Sequence, residues 1–401
     1  MTVFDQIIDP ANRANPYPLY AELRRTPVTR QDDGTWVVST YQEIVDLLHD
    51  PRVSSDRRNN PQLAGERDAV VPAFIGLDPP EHDRLREIAT RPFGPPHTPG
   101  RIDALRSSLL ETTTRLIDGM HGQDVVDVVD QLAYPLPVSV ICRLLGVPVA
   151  DEPRFHRLAD AIIESNDPYT GTLVERRRRT NALSAELRAY LDGLLDARRD
   201  APGDDLLSAF LTDGEPDQRM SRDELLATAQ LLLIAGHETT VNIITNGMFT
   251  LLRHPDVLDR LRREPDLSIG LVEELLRYEP PVQFVQSRVA LADLDVAGTT
   301  IPAGSPITLV LAAGDRDPNR FPEPDRFDPD RTDNQHLGFG GGVHYCYGAA
   351  LARLEAQVAL TELARRLVDP RLVEDPPPYR PSPQLRGPRH LLVAVDGILP
   401  A

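Results

Sequence analysis

Phe339-Gly340-Gly341-Gly342-Val343-His344-Tyr345-Cys346-Tyr347-Gly348 runs directly into the helix-forming stretch Ala349-Ala350-Leu351-Ala352-Arg353. Glycines let a backbone approach another group closely and adopt positive φ. Cys346 stands just before the expected helix, where backbone N–H groups and the helix dipole favour thiolate over thiol. A thiolate on such a loop suits axial ligation of iron in a flat, apolar porphyrin, pushing electron density onto the metal. Two other readings compete. A cysteine in a glycine turn is often a core side chain, as Cys142 in Val138-Ser139-Val140-Ile141-Cys142 is expected to be. The run from Gly338 to Val343 also approximates a dinucleotide fingerprint, but Val343 stands where its third glycine belongs and no clear βαβ unit surrounds it.

Upstream, Gln230-Leu231-Leu232-Leu233-Ile234-Ala235-Gly236-His237-Glu238-Thr239-Thr240 lies within a helical pattern running from Arg222 to Arg253. A glycine inside a helix costs about 1 kcal/mol relative to alanine. Thr239 can bond back to the carbonyl of Ala235 and bend or open the helix. Glu238 beside it completes an acid–alcohol pair able to relay protons. In isolation the same residues would more readily make a polar turn facing solvent. A zinc-protease reading of His237-Glu238 fails, because Val241 occupies the position of the second histidine.

The chain has 401 residues and a formal net charge of −18, which opposes any general affinity for nucleic acid or acidic membranes. Every basic side chain other than histidine is arginine. Two distant cysteines make no disulfide framework and fit a reducing cytosol. The N-terminus lacks a signal-peptide pattern, and no apolar run is long enough to span a bilayer. The 38 prolines punctuate periodic apolar segments, so they read as helix boundaries and stiff loops. Helices are expected over 41–48, 81–90, 102–120, 126–145, 154–164, 173–198, 206–211, 222–253, 271–277 and 349–367. Strands are expected near 36–40, 289–296, 306–312 and 391–395. The result is one mainly α domain over 1–401 with a minor β part.

At this point the chain resembles the cytochrome P450 family, specifically its soluble bacterial members. The family pattern F-G-x-G-x-H-x-C-x-G is met at every fixed position from Phe339 through Gly340, Gly342, His344 and Cys346 to Gly348. The segment Ala235-Gly236-His237-Glu238-Thr239-Thr240 matches A-G-x-[D/E]-T-T. The resemblance implies a P450 fold, haem b as cofactor and Cys346 as its axial iron ligand. It also implies proton delivery by Glu238 and Thr239, with Ala235 and Gly236 beside the haem. Glu274-Leu275-Leu276-Arg277 resembles the family's E-x-x-R element, whose partner arginine matches Arg326; these three are expected to be structural. His82 and Arg86, with Arg288 and His344, match positions that contact the haem propionates.

The proline-rich stretch 91–100 departs from the family's shorter turn, leaving donor choice open; Arg84, Arg91 and Arg353 are candidates for a local basic patch. Arg176 to Arg179 read instead as a solvated helix face. By resemblance, substrate meets the 55–80 loop, Leu231 to Ala235, the segment Val282, Phe284 and Val285, and the turn near Leu385. Gln283 and Gln286 are possible polar handles. Such an apolar wall suits a medium-sized hydrophobic natural product. The implied reaction is hydroxylation or epoxidation with O2 and two electrons from a ferredoxin and ferredoxin reductase. Oxidative coupling or desaturation, possibly on a carrier-bound substrate, is the rival reading. A non-catalytic haem sensor is the distant one, since mere binding needs no acid–alcohol relay.

Overall fold

In the computed structural model, residues 1–61, 71–94, 98, 100–165, 171–214 and 219–401 are described. The chain forms two compact units, one built from residues 1–67, 113–133 and 239–401, the other from 68–112 and 134–238. The division falls inside one unbroken helix, Arg222–Arg253, between Glu238 and Thr239.

The first unit holds every described strand. Its five-stranded sheet has the order Val28–Arg30, Trp36–Val38, Pro306–Leu309, Val285–Ala290, Val53–Ser54. Only the Trp36–Val38 and Pro306–Leu309 pair is parallel. One apolar cluster gathers Val38, Ile44, Leu309, Phe321 and Leu337. Another gathers Phe4, Ile7, Tyr20, Val37, Phe284 and Val310. Val37 and Val38 fall in different clusters because successive strand residues point to opposite faces. The helices Leu267–Tyr278 and Ala349–Arg366 belong to this unit.

The described part of the second unit is helical: Glu81–Phe93, Pro135–Leu145, Glu152–Ser165, Leu173–Asp200 and Leu206–Thr212, with the first half of the long helix. Local sequence explains several boundaries. Thr172 and Glu175 form a capping box at the start of Leu173–Asp200. Pro135 occupies the first turn of its helix, where a missing N–H costs nothing. That helix ends at Gly146, whose φ of +74° and tight approach to Asp205 both require glycine.

Several expectations need correction; the strand expected over 306–312 stops at Leu309 and gives way to the short helix Leu311–Gly314. The stretch 126–145 is not one helix but a strand, Val125–Asp127, a π-helical turn, Val129–Ala133, and the helix Pro135–Leu145. The strand pairs antiparallel with Leu392–Ala394, so a contact near the other end of the chain overrides the local apolar spacing. Likewise 289–296 is two strands, Val285–Ala290 and Leu294–Val296, separated at Asp293, whose side chain accepts the N–H of Ala303. Short helices at Val3–Ile8, Tyr17–Leu23 and Pro255–Arg263 were not among the expected elements.

Candidate active site

The glycine loop rests on the last turn of the helix Tyr41–His49. Gly340 and Gly342 adopt φ of +68° and +62°. A Cβ on Gly342 would overlap the carbonyl oxygen of Leu48, so the crossing admits only hydrogen there. The Gly342 N–H donates to His49 Nε2 at 3.2 Å, and His49 Nδ1 bonds the Val45 carbonyl at 2.8 Å. The imidazole therefore carries its proton on Nδ1. Within the loop, Cys346 N–H donates to the Phe339 carbonyl at 2.9 Å and Gly340 N–H to that of Leu337 at 2.7 Å. Cys346 is half-buried, ahead of the helix that Gly348 caps. Cys142 differs in kind. It is fully buried, and burial pushes its thiol up to about 12, as expected of an inert core cysteine.

Charged side chains brace this loop from the helix Leu267–Tyr278. Glu273 receives two bonds from Arg353, at 2.6 and 2.8 Å, and one contact from His336 Nε2 at 3.1 Å. Burial raises the Glu273 carboxyl, but these partners overcome it and hold it at about 2. Arg353 also lies over the Phe339 ring, 4.5 Å from its centroid. The sequence reading missed Glu273, although the paired acids Glu273-Glu274 were a visible signal.

Glu274 and Arg277 form a fully buried bidentate pair, each bond 2.8 Å. Arg277 further donates to the carbonyls of Asp315, Pro324 and Arg326. Here the expected triad needs correction. The Arg326 side chain is 59% exposed and pairs with Glu323 and Asp328, so it contributes its carbonyl alone. The third charged member is Arg331, only 10% exposed, with Nε 3.3 Å from Glu274 Oε2.

The long helix passes unbroken through Ala235 and Thr239. Glu238 and His237 are buried, His237 edge-on to Tyr134 with centroids 4.5 Å apart. Leu231, Ala235 and Thr239, spaced by four along one face of the helix, all keep accessible surface. Gly236 lies off that stripe; a Cβ there would meet Ile141 at 3.6 Å.

The remaining predicted residues divide between the units. In the first, a bulge between Val285 and Arg288, with Ser287 at φ +65°, re-aims the half-buried Arg288. His344 is half-buried in the cysteine loop. In the second unit, His82 is buried, with Nδ1 2.8 Å from Asp83, and Arg86 one turn on is half-buried. Of the expected wall, Val282 and Val285 are partly buried, and Val282 pairs with Leu385 across an isolated bridge. Phe284 points instead into the core against Phe4, centroids 5.6 Å apart, with no exposed surface.

Gln283 is not a free polar handle either. It accepts from Tyr20 at 2.7 Å and donates to Pro280 at 2.5 Å, whereas Gln286 is exposed. The expected basic patch is also corrected, since each arginine has its own carboxylate: Arg84 with Glu224, Arg91 with Glu87, Arg353 with Glu273. Arg178 and Arg179 are exposed, as expected of a solvated face. Residues 62–70 of the 55–80 loop, and 95–97 and 99 of the proline-rich stretch, lie outside the described residues.

A half-buried cysteine ahead of a helix, a loop stripped of side chains by three glycines, and partly buried Arg288 and His344 fit an iron porphyrin. The thiol offers a soft ligand, and the Arg288 guanidinium and His344 ring offer donors for two carboxylates. Comparison with known proteins defines the class. Residues 33–385 match the family model for cytochrome P450. The chain is 41% identical over 388 residues to the cytochrome P450 monooxygenase PikC of Streptomyces venezuelae, covering 93% of this chain and 89% of that protein. It is 37% identical over 404 residues to 6-deoxyerythronolide B hydroxylase of Saccharopolyspora erythraea, covering 95% and 96%. The ligand-free crystal structure of Mycobacterium smegmatis CYP164A2 superposes with a TM-score of 0.89 at 41% identity, covering 98% of this chain and 99% of that one. The chain belongs to the cytochrome P450 family. It is a P450 monooxygenase whose cofactor is haem b. Among the described residues, no helix is long and apolar enough to cross a membrane.

Proposed function

We propose that Cys346 binds the haem iron as a thiolate, and that the enzyme hydroxylates or epoxidises a medium-sized hydrophobic natural-product intermediate. The whole chain acts as one catalytic domain in the cytoplasm, drawing two electrons from a ferredoxin and its reductase. Haem, once bound, supplies the activation of O2. The chain's own residues supply the rest. Glu238 passes protons to Thr239 Oγ1, which presents them beside the accessible stripe of Leu231 and Ala235. Arg288, His344, His82 and Arg86 hold the propionates. Val282 and Val285 form the apolar wall that orients substrate.

The observation that carries this reading is the cysteine loop, whose crossing over Leu48 tolerates no side chain at Gly342. PikC and 6-deoxyerythronolide B hydroxylase, a monooxygenase and a hydroxylase by name, support the choice of oxygen insertion. The reduced protein with carbon monoxide should show the strongly red-shifted band of thiolate ligation, and Cys346→Ser should abolish it. An imidazole-type spectrum in folded wild type would end the proposal. Titrating ferric protein with macrolides, steroids and terpenes should reveal a spin-state shift for the correct class. Thr239→Ala should then consume electrons with at least tenfold less product per electron, in line with the ~10²–10⁴-fold worth of a positioned proton donor. Unchanged coupling would remove Thr239 from proton delivery.

A further inference from the structure

Three residues beyond Thr239 the long helix carries Asn242, and one turn later Asn246, which share a helix face. Asn246 is buried. Its single amide nitrogen donates to two backbone carbonyls, Glu279 at 3.2 Å and Arg386 at 3.0 Å. Glu279 caps the end of the helix Leu267–Tyr278, where the last carbonyls lack partners within the helix. An amide has two N–H donors, so one side chain serves both carbonyls.

Those carbonyls stand at the roots of two chain segments that pair with each other. Val282, three residues past Glu279, bridges to Leu385, the neighbour of Arg386. Gln283 N–H donates to the Gln384 carbonyl at 2.9 Å, and Arg386 N–H to that of Pro281 at 2.8 Å. Next along, Gly387 approaches the helix so closely that a Cβ would overlap Asn242 Oδ1. From the far side the buried Arg386 guanidinium pairs with Glu279 and donates to the carbonyls of Arg13 and Ala14, both at 2.8 Å. The paired segments are thus held by the charge of Arg386 on one side and by the amide of Asn246 on the other.

We infer that Asn246 is a positioning residue that sets how far the paired segments 282–285 and 384–387 stand from the helix bearing Thr239, and so the width of the substrate space. This rests on the proposal that Val282 and Val285 face substrate. Both bonds from the Asn246 amide nitrogen run to backbone carbonyls. Asn246 acts through the two carbonyls it holds, and a change at its amide displaces both segments together.

The test compares two ferric-iron ligands in the holoenzyme: imidazole, too small to reach the wall, and econazole, whose bulk must press against it. Asn246→Asp keeps the shape but removes the donors. Losing two buried hydrogen bonds predicts about tenfold weaker econazole binding with imidazole binding unchanged. Should that variant fail to accumulate with haem, Gly387→Ala crowds the same junction from the loop side and should shift the ratio likewise. Val285→Ala is the control for the wall. If Val285→Ala changes the econazole-to-imidazole ratio and Asn246→Asp does not, the positioning role is refuted while the wall stands. If neither changes it, the wall reading fails and takes this inference with it. An equal loss for both ligands would mark a general structural defect and also overturn it.

Discussion

Along the helix Leu267–Tyr278, Glu274 and Arg277 pair with no exposed side-chain surface at all. On the outside of the other unit, Arg222 pairs with Asp192 at 2.6 Å and Asp196 at 3.0 Å, yet its side chain is 36% exposed and theirs 43% and 56%. The bond lengths resemble each other, but the surroundings differ. Water around Arg222 already solvates the charges, so the pair gains little by forming. At Glu274 no water replaces a lost partner, and removing one charge strands the other in the interior. The buried pairs therefore lock the chain before the cysteine loop into one path, while the exposed pairs leave their helices easily altered.

That contrast can be broken at its strongest point first. Glu274→Ala leaves Arg277 buried without its counter-charge and should cost about 3–5 kcal/mol. Urea unfolding of the holoenzyme measures it, with early haem release expected as the meander loosens. A loss under 1 kcal/mol would mean the interior pair behaves like a surface one.

Glu273, half-way between the extremes, sharpens the comparison through pH. Its folded-state carboxyl titrates at about 2, below the unfolded value of about 4.3. A lowered carboxyl stabilises the fold fully above the unfolded value, and that contribution disappears as pH falls through the folded one. The melting-temperature gap between wild type and Glu273→Gln should hold steady above about pH 5. It should then close as the pH approaches 2. Parallel curves over that range would show that the bonds from Arg353 and His336 do not depend on the charge.

The smallest effect is expected at Arg222→Ala, roughly 0.2–1 kcal/mol. It should shrink further in 0.5 M salt, because exposed pairs are screened over a Debye length of only several ångströms. A salt-insensitive loss as large as that of Glu274→Ala would erase the distinction.

Legibility in the sequence followed the same division between local and distant causes. The cysteine loop could be read because its requirements lie within ten residues, and the long helix because its apolar spacing is its own. The E-x-x-R pair was visible too, since both charges sit on one helical turn. Its third member was not. Whether Arg326 or Arg331 turns inward depends on how the chain between Pro322 and Asp333 bends, and that path answers to Arg277 taking up the carbonyls of Pro324 and Arg326. Phe284 was misread for a related reason, because the ring it packs on, Phe4, is remote in sequence. The strand Val125–Asp127 was hidden by a partner near the other end of the chain. Asn246 gave no motif at all, since its role lies in two backbone carbonyls that only folding brings beside it.

The crossing of Gly342 over the carbonyl of Leu48 has a consequence for how such a chain can drift over evolutionary time. Any residue at 342 larger than glycine demands that the end of the helix Tyr41–His49 withdraw, and retreat there unseats His49 from the loop. Substitutions in relatives should therefore arrive as correlated pairs, one at the position of Gly342 and one within the final turn that supports it. A lineage that keeps the glycine is free to vary the outward residues of that helix, so neutral change should accumulate at Gln42 and Asp46 while the crossing itself stays fixed.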